Sequence, residues 1–326
     1  MQTLEVYVEQ LDVAASLLNS DDTTSYRLAL ILTDNIVELL SHNACVHLFS
    51  KYNYFDFDTL APVDRSKKEA ALGQKLAPKI EFHKQRGVIT EDQAAYCNAA
   101  HAIRNESYHT GVMQGEVLLP IAFEYHSIAL ALFERFFQRS VSIQWGKKHA
   151  CLDKHLAGTV GLFPGSPEYI RAITSSLSSC RRPLQVRLQD ALSHAIIDRV
   201  NVILEMIEYI ASGQNPKQTL EQEITKIQYW NEFGKICPEE GFTLNSPEHL
   251  LFQQKMTQFH AEFRAKVSLK TIQSWQKRAG LLVTEKNLGK ALSKYMDLIR
   301  DFRGFEQYAS QSCSSFDMAV EMQMDR

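Results

Sequence analysis

Residues 90–111 read TEDQAAYCNAAHAIRNESYHTG, and the fold class follows from how this stretch begins and ends. Thr90 with Gln93 fits a capping box, in which a hydroxyl and an amide satisfy backbone N–H groups that the first helical turn leaves orphaned. Gly111 is a natural stop, because glycine accepts the left-handed conformation in which many helices end. Helical periodicity extends outward in both directions. Leu4, Tyr7, Val8, Leu11, Ala15 and Leu18 form one stripe over 3–19, and a longer helix is expected over 24–50. Ile121, Tyr125, Ile128, Leu132 and Phe136 form another stripe over 116–139, with Pro120 near its first turn. Leu130, Phe133 and Phe137 occupy that helix's other face, which predicts burial on both sides, by the domain core and by a second subunit.

Residues 52–64 read as irregular, and 66–85 as helix with a kink or break at Pro78. Further helices are expected over 167–179, 184–212, 217–233, 247–266, 270–280 and 286–310, with a frayed tail after Ser310. Ser166-Pro167-Glu168 and Ser246-Pro247-Glu248 carry the start signal of an N-cap followed by proline. Between Val141 and Gly165 the pattern lapses amid Gly146, Gly158, Gly161, Pro164 and Gly165. The boundary placed there gives a helical domain over 1–145 and a second helical domain over 146–326. The fold class is all-α.

Composition sets the outer limits. With 326 residues, 45% hydrophobic and 22% charged, the chain has the make-up of a globular protein with room for about two domains. A net charge of -3 supplies no global positive field, so any contact with nucleic acid is local and a coating role is disfavoured. Cys45, Cys97, Cys151, Cys180, Cys237 and Cys313 are scattered without a CxxC pair, and Met1 to Gln10 carries Glu5 and Glu9 rather than a basic segment leading an apolar run. Both features predict a cytoplasmic, reduced protein. The apolar run over 28–40 is broken by Thr33, Asp34, Asn35 and Glu38, so no membrane span is expected.

Chemistry concentrates at Arg104-Asn105-Glu106-Ser107-Tyr108-His109. An imidazole titrates near neutrality and moves protons, while a guanidinium stays charged and grips two phosphate oxygens at once. Positions five apart on a helix lie about 140° from one another, so Arg104 and His109 do not share a face, whereas Asn105 and His109 do. Arg187 and His194 repeat the pair, but Leu188 follows the arginine and the segment runs as a core helix, so they read as structural.

The R-N-x-x-x-H spelling over 104–109, on a helix of an all-helical domain, resembles the signature of the HEPN superfamily, whose active members are metal-independent ribonucleases. The resemblance covers at most 1–140 and implies a HEPN-like helical bundle followed by a second helical domain. It implies an endoribonuclease of toxin or antiviral type that takes RNA and needs no cofactor. His109 would be general base, Arg104 the transition-state cation and Asn105 a positioning group, in a site completed by a homodimer. An antitoxin or regulatory protein is a further implied partner. In the family a polar residue on an earlier helix supports the site; Asp34, Asn35 and Glu38 occupy such a place, although a solvent-facing polar stripe is the preferred account of them. Subgroups that place a tyrosine two positions after the histidine are not matched, since Gly111 stands there. A non-catalytic binding module and a helical scaffold are the rival readings.

Other constellations give less. His149, Cys151 and His155 invite a metal, but Lys147, Lys148 and Lys154 would repel one and no second ligand pair has zinc spacing, so no metal is expected. Asp56-Phe57-Asp58 lacks the turn a nucleotidyltransferase needs, and no P-loop, dinucleotide fingerprint or GxSxG elbow occurs. From Arg264 to Arg303 basic residues gather around Trp275, a pattern that can grip a nucleic-acid backbone and stack a base, or simply make a solvated helix face.

Overall fold

The structure, a computed structural model, describes residues 4–55, 62–110, 115–137, 150–157, 159, 161–236 and 247–324; within these, the side chains of 50–55, 62–65, 107–110, 115, 247–250 and 324 are not described. Among the described residues it is all-α. The helices are α1 (Leu4–Leu17), α2 (Thr23–Phe55), α3 (Pro62–Leu72), α4 (Leu76–Gln85), α5 (Glu91–Thr110), α6 (Gly115–Phe137), α7 (Ala150–His155), α8 (Pro167–Ser179), α9 (Leu188–Gly213), α10 (Leu220–Ile236), α11 (Pro247–Glu262), α12 (Leu269–Gly280) and α13 (Leu288–Met324), with one 3-10 turn at Leu281–Thr284.

The local signals act as written. Thr90 Oγ1 accepts from the Gln93 N–H and Gln93 Oε1 from the Thr90 N–H, both at 3.1 Å, closing the capping box of α5. Ser166 caps α8 by accepting from the Tyr169 N–H at 3.1 Å. Ser246, the DxD at 56–58 and the lysines at 147 and 148 lie outside the described residues. Pro78 does not kink a long helix; the break falls ahead of it, and proline sits in the first turn of α4, where its missing N–H costs nothing. The tail after Ser310 is not frayed. α13 continues to Met324 because Tyr209 packs edge-on against Phe316 and donates to Asp317 Oδ1 at 2.8 Å.

Two compact units emerge, Met1–Leu192 with Thr284–Lys294, and Ser193–Val283 with Tyr295–Arg326. The break expected between 141 and 165 falls inside the first unit, because α7 and α8 pack back onto α1 and α6. Gly161, Pro164 and Gly165, at the described end of that stretch, mark a turn rather than a seam. In the first unit α2 is central, packed against α1, α5 and α6. Its core includes Leu4, Tyr7, Val8, Leu11, Ile36, Val37, Tyr96, Ile103, Ile121, Tyr125 and Phe133, all essentially without solvent contact. Each large aliphatic or phenylalanine side chain so buried contributes about 1.5–3 kcal/mol.

On the second apolar face of α6, Phe133 and Phe137 pack against Tyr7 of α1, and α8 also packs on α6, so its two-sidedness does not itself call for a second subunit. α6 is long and apolar enough to cross a membrane by composition, yet most of it is buried in this helical core.

Residues 284–294 return to the first unit and dock on α5. The Gly289 N–H donates to Asp92 Oδ1 at 2.8 Å, and a Cβ at Gly289 would stand 2.6 Å from the Asp92 carbonyl oxygen and 2.7 Å from the Tyr96 nitrogen. Backbone cannot yield as a flexible side chain does. Gly289→Ala is expected to cost about 1–3 kcal/mol, read as a lowered denaturant midpoint; an unchanged midpoint would show that the helices separate freely here.

In the second unit Trp275 packs on Phe302 and Phe305, and Arg199 pairs with Glu306.

Candidate functional site

The polar residues of α2 diverge rather than form a solvent-facing stripe. Asp34 is fully buried and faces α5 and α6; Asn35 donates to Gln10 Oε1 on α1 at 3.0 Å; Glu38 is half-buried with its charge acting on His101. A buried carboxylate is costly unless it is paired and hydrogen-bonded. Asp34 meets that requirement three ways. Tyr125 donates its hydroxyl proton to Oδ1 at 2.8 Å, His101 Nδ1 lies 3.1 and 3.0 Å from Oδ1 and Oδ2, and Arg104 Nε lies 3.4 Å from Oδ2.

Arg104 is therefore tied to the core. Its Nε contact lacks the alignment of a hydrogen bond, so the attraction is Coulombic, and direction comes from Nη1, which donates to Asn105 Oδ1 at 2.8 Å. The side chain keeps 32% exposure, enough to meet a ligand. His101 stands one turn before Arg104 on the same face of α5, 29% exposed. Its pKa is raised, first by the hydrogen bond to Asp34, then by the charges of Asp34 and Glu38, against burial and Arg104. With Nδ1 engaged, Nε2 is the nitrogen able to exchange a proton.

The structure thus brings Arg104 and Asn105 together and adds Asp34, His101 and Tyr125. His109 lies in the last turn of α5, which stays helical through Thr110, so its offset of about 140° from Arg104 holds. The side chains of Ser107, Tyr108 and His109 are not described. His101 escaped the sequence reading although the signal was present: a histidine three residues before the arginine shares its helix face.

The basic stretch over 264–303 does not offer a stacking aromatic. Trp275 is 3% exposed among Phe302 and Phe305, while Arg278 pairs with Asp301 at 2.6 Å and Arg300 with Asp297 at 3.1 Å. The aromatic surface of the second unit lies elsewhere, in a cavity of about 940 Å³ between α10 and α11 walled by Tyr229, Trp230, His260 and Phe263. Arg187 forms a two-pronged pair with Asp190 at 2.8 Å, and His194 is exposed.

Comparison with family models, curated proteins and solved structures returned no match.

Proposed function

We propose that the chain is a metal-independent endoribonuclease of HEPN type, working as a homodimer, with a toxin or antiviral role. The observation that carries this reading is the buried Asp34 beneath Arg104: the motif arginine is held by a carboxylate on an earlier helix while about a third of its side chain remains exposed. His101 adds a second group, kept in its cationic form to higher pH by the same carboxylate. A fixed pair of cations suits a phosphate whose charge grows in the transition state.

In the proposed reaction His109 takes the proton from the substrate's 2′-hydroxyl, the freed oxygen attacks phosphorus, and the bond to the 5′-oxygen breaks as that oxygen gains a proton. Products are a 2′,3′-cyclic phosphate and a 5′-hydroxyl. Arg104 neutralises the phosphoryl oxygens, and Asn105 holds the guanidinium in plane. One chain places Arg104 and His109 on different faces of a continuous helix, so a second α5 supplies the complementary residue.

Single-stranded RNA should be cut in the presence of EDTA to give cyclic phosphate ends, and DNA spared for want of the nucleophile. The protein should sediment as a dimer at the concentrations where it cuts. Cleavage lost with chelator while circular dichroism is unchanged, or activity from a monomer, would remove this mechanism.

The rival reading, a non-catalytic nucleotide- or RNA-binding module, draws on the aromatic cavity between α10 and α11, where half-exposed Trp230 could stack a base. It predicts RNA binding that quenches tryptophan fluorescence without strand scission.

A further inference from the structure

Three helices of the first unit converge on a side-chain cluster unconnected with Arg104. Asp12 comes from α1, His155 closes α7, and Cys180 caps the C-terminus of α8. One carboxylate oxygen, one imidazole nitrogen and the thiol sulfur lie within 4.8 Å of one another. We propose that Asp12, His155 and Cys180 form a zinc-binding site.

The histidine carries the argument. Its side chain is fully buried; Nδ1 bonds Ser176 Oγ at 3.0 Å, while Nε2, at 3.1 Å from Asp12 Oδ1, is within ion-pair distance of the carboxylate but lacks the alignment of a good hydrogen bond. If Nδ1 donates to the serine, the Nε2 lone pair faces a carboxylate oxygen, lone pair against lone pair. A proton on Nε2 would be aimed badly. A cation between the two atoms satisfies both, and the serine then orients the ring as outer-shell partners of zinc-bound histidines do.

Ligand chemistry selects the metal. Carboxylate oxygen, imidazole and thiolate together suit zinc, at about 2.0–2.3 Å from each, leaving a fourth position for water. Binding exchanges the thiol proton for the metal, so one proton leaves Cys180 as the zinc–sulfur bond forms. The backbone that carries the thiol is held: Asn19, just after α1, donates from Nδ2 to the Cys180 carbonyl at 2.7 Å and accepts from the Arg182 N–H at 2.8 Å.

Lys154 is the competitor. Its Nζ lies 2.7 and 2.8 Å from the two Asp12 oxygens, and two cations cannot share that carboxylate closely. The lysine is 53% exposed, so it can swing into water at small cost. Zinc and lysine are therefore alternatives at Asp12, and in this arrangement Lys154 tunes the affinity.

The full-length protein, stripped of metal, should bind one equivalent of cobalt(II) with a thiolate charge-transfer band, and zinc should displace it and raise the melting temperature. Cys180→Ser should abolish the band, Asp12→Asn weaken binding at least about tenfold and Ser176→Ala about 10- to 100-fold. Lys154→Met should tighten it, whereas a lysine acting only as an ion-pair partner would leave that variant less stable and no better at binding metal. Cys151→Ser serves as the control and should change nothing. A band that survives Cys180→Ser, a Lys154→Met variant that binds no more tightly, or no saturable binding at all would overturn the proposal. Asp12 and Cys180 retain solvent contact, so their variants fold even if a His155 variant does not.

Discussion

His109→Ala is expected to lower RNA cleavage by about 10²- to 10⁴-fold, the usual worth of a positioned proton-transfer group. Arg104→Ala should lose about 10²- to 10³-fold through the missing charge on the phosphate. The two variants should differ in stability. Arg104 is bound to buried Asp34, so its truncation should also destabilise the fold by about 1 kcal/mol, for a pair that water partly screens, and so lower the melting temperature. Asp34→Asn is the informative third variant. Removing the carboxylate takes away what raises the His101 pKa, so any alkaline limb of the rate profile that depends on protonated His101 should move to lower pH. Single-turnover cleavage beside thermal melting checks all three. Variants at positions 104 and 109 that cut RNA at the parental rate would leave the binding-module reading in possession.

Acid should unfold the first unit through His126. This ring is fully buried, its Nε2 donates to the Leu11 carbonyl at 3.0 Å, and burial, with help from Arg181, pushes its pKa down to about 4. The folded state therefore resists a proton that the unfolded chain accepts near 6.5. The stability due to the neutral ring is present above pH 6.5 and is lost as pH falls toward about 4; the difference is worth about 3 kcal/mol. His83, buried against the Ser41 carbonyl, has its pKa lowered by burial and acts in the same direction. His101 opposes them. Its raised pKa gives stability that is full below about 6.5 and fades as pH rises through the folded value. Chemical denaturation at several pH values should show the loss between 6.5 and 4, and His126→Gln, which keeps a donor toward Leu11, should flatten it. An imidazole resonance for His126 that titrates near 6.5 would contradict the argument.

Element type and most boundaries were legible because apolar stripes and caps are local properties: Thr90 with Gln93 and Ser166 each predicted a start that the backbone adopts. What escaped depends on residues distant in the chain. Asp34 and Arg104 are both polar residues on apolar helices, and nothing within either helix says that one lies beneath the other. Trp275 looked available because basic neighbours surround it, whereas Phe302 and Phe305 cover it. The expected seam at 141–165 was read from glycine and proline content, which reports a loop but not whether the helices beyond it return. Cys180 drew no attention as an isolated cysteine, and only folding sets it beside Asp12 and His155.

The bond between Gly289 and Asp92 joins positions 197 apart in the chain, and this fixes an order of events during synthesis. A nascent chain that has emerged as far as Leu192 holds every residue of the Arg104 site yet lacks 284–294, the segment that docks on α5 at Asp92 and Tyr96. At ribosomal speeds of about 5–20 residues per second the wait is roughly 5–18 s. Throughout that interval the cap of α5 and the buried Asp34 of α2 beneath it are in place while the flank at Asp92 and Tyr96 stands uncovered, so whatever chemistry the Arg104 site performs gains its last packing contact only after 284–294 has been made.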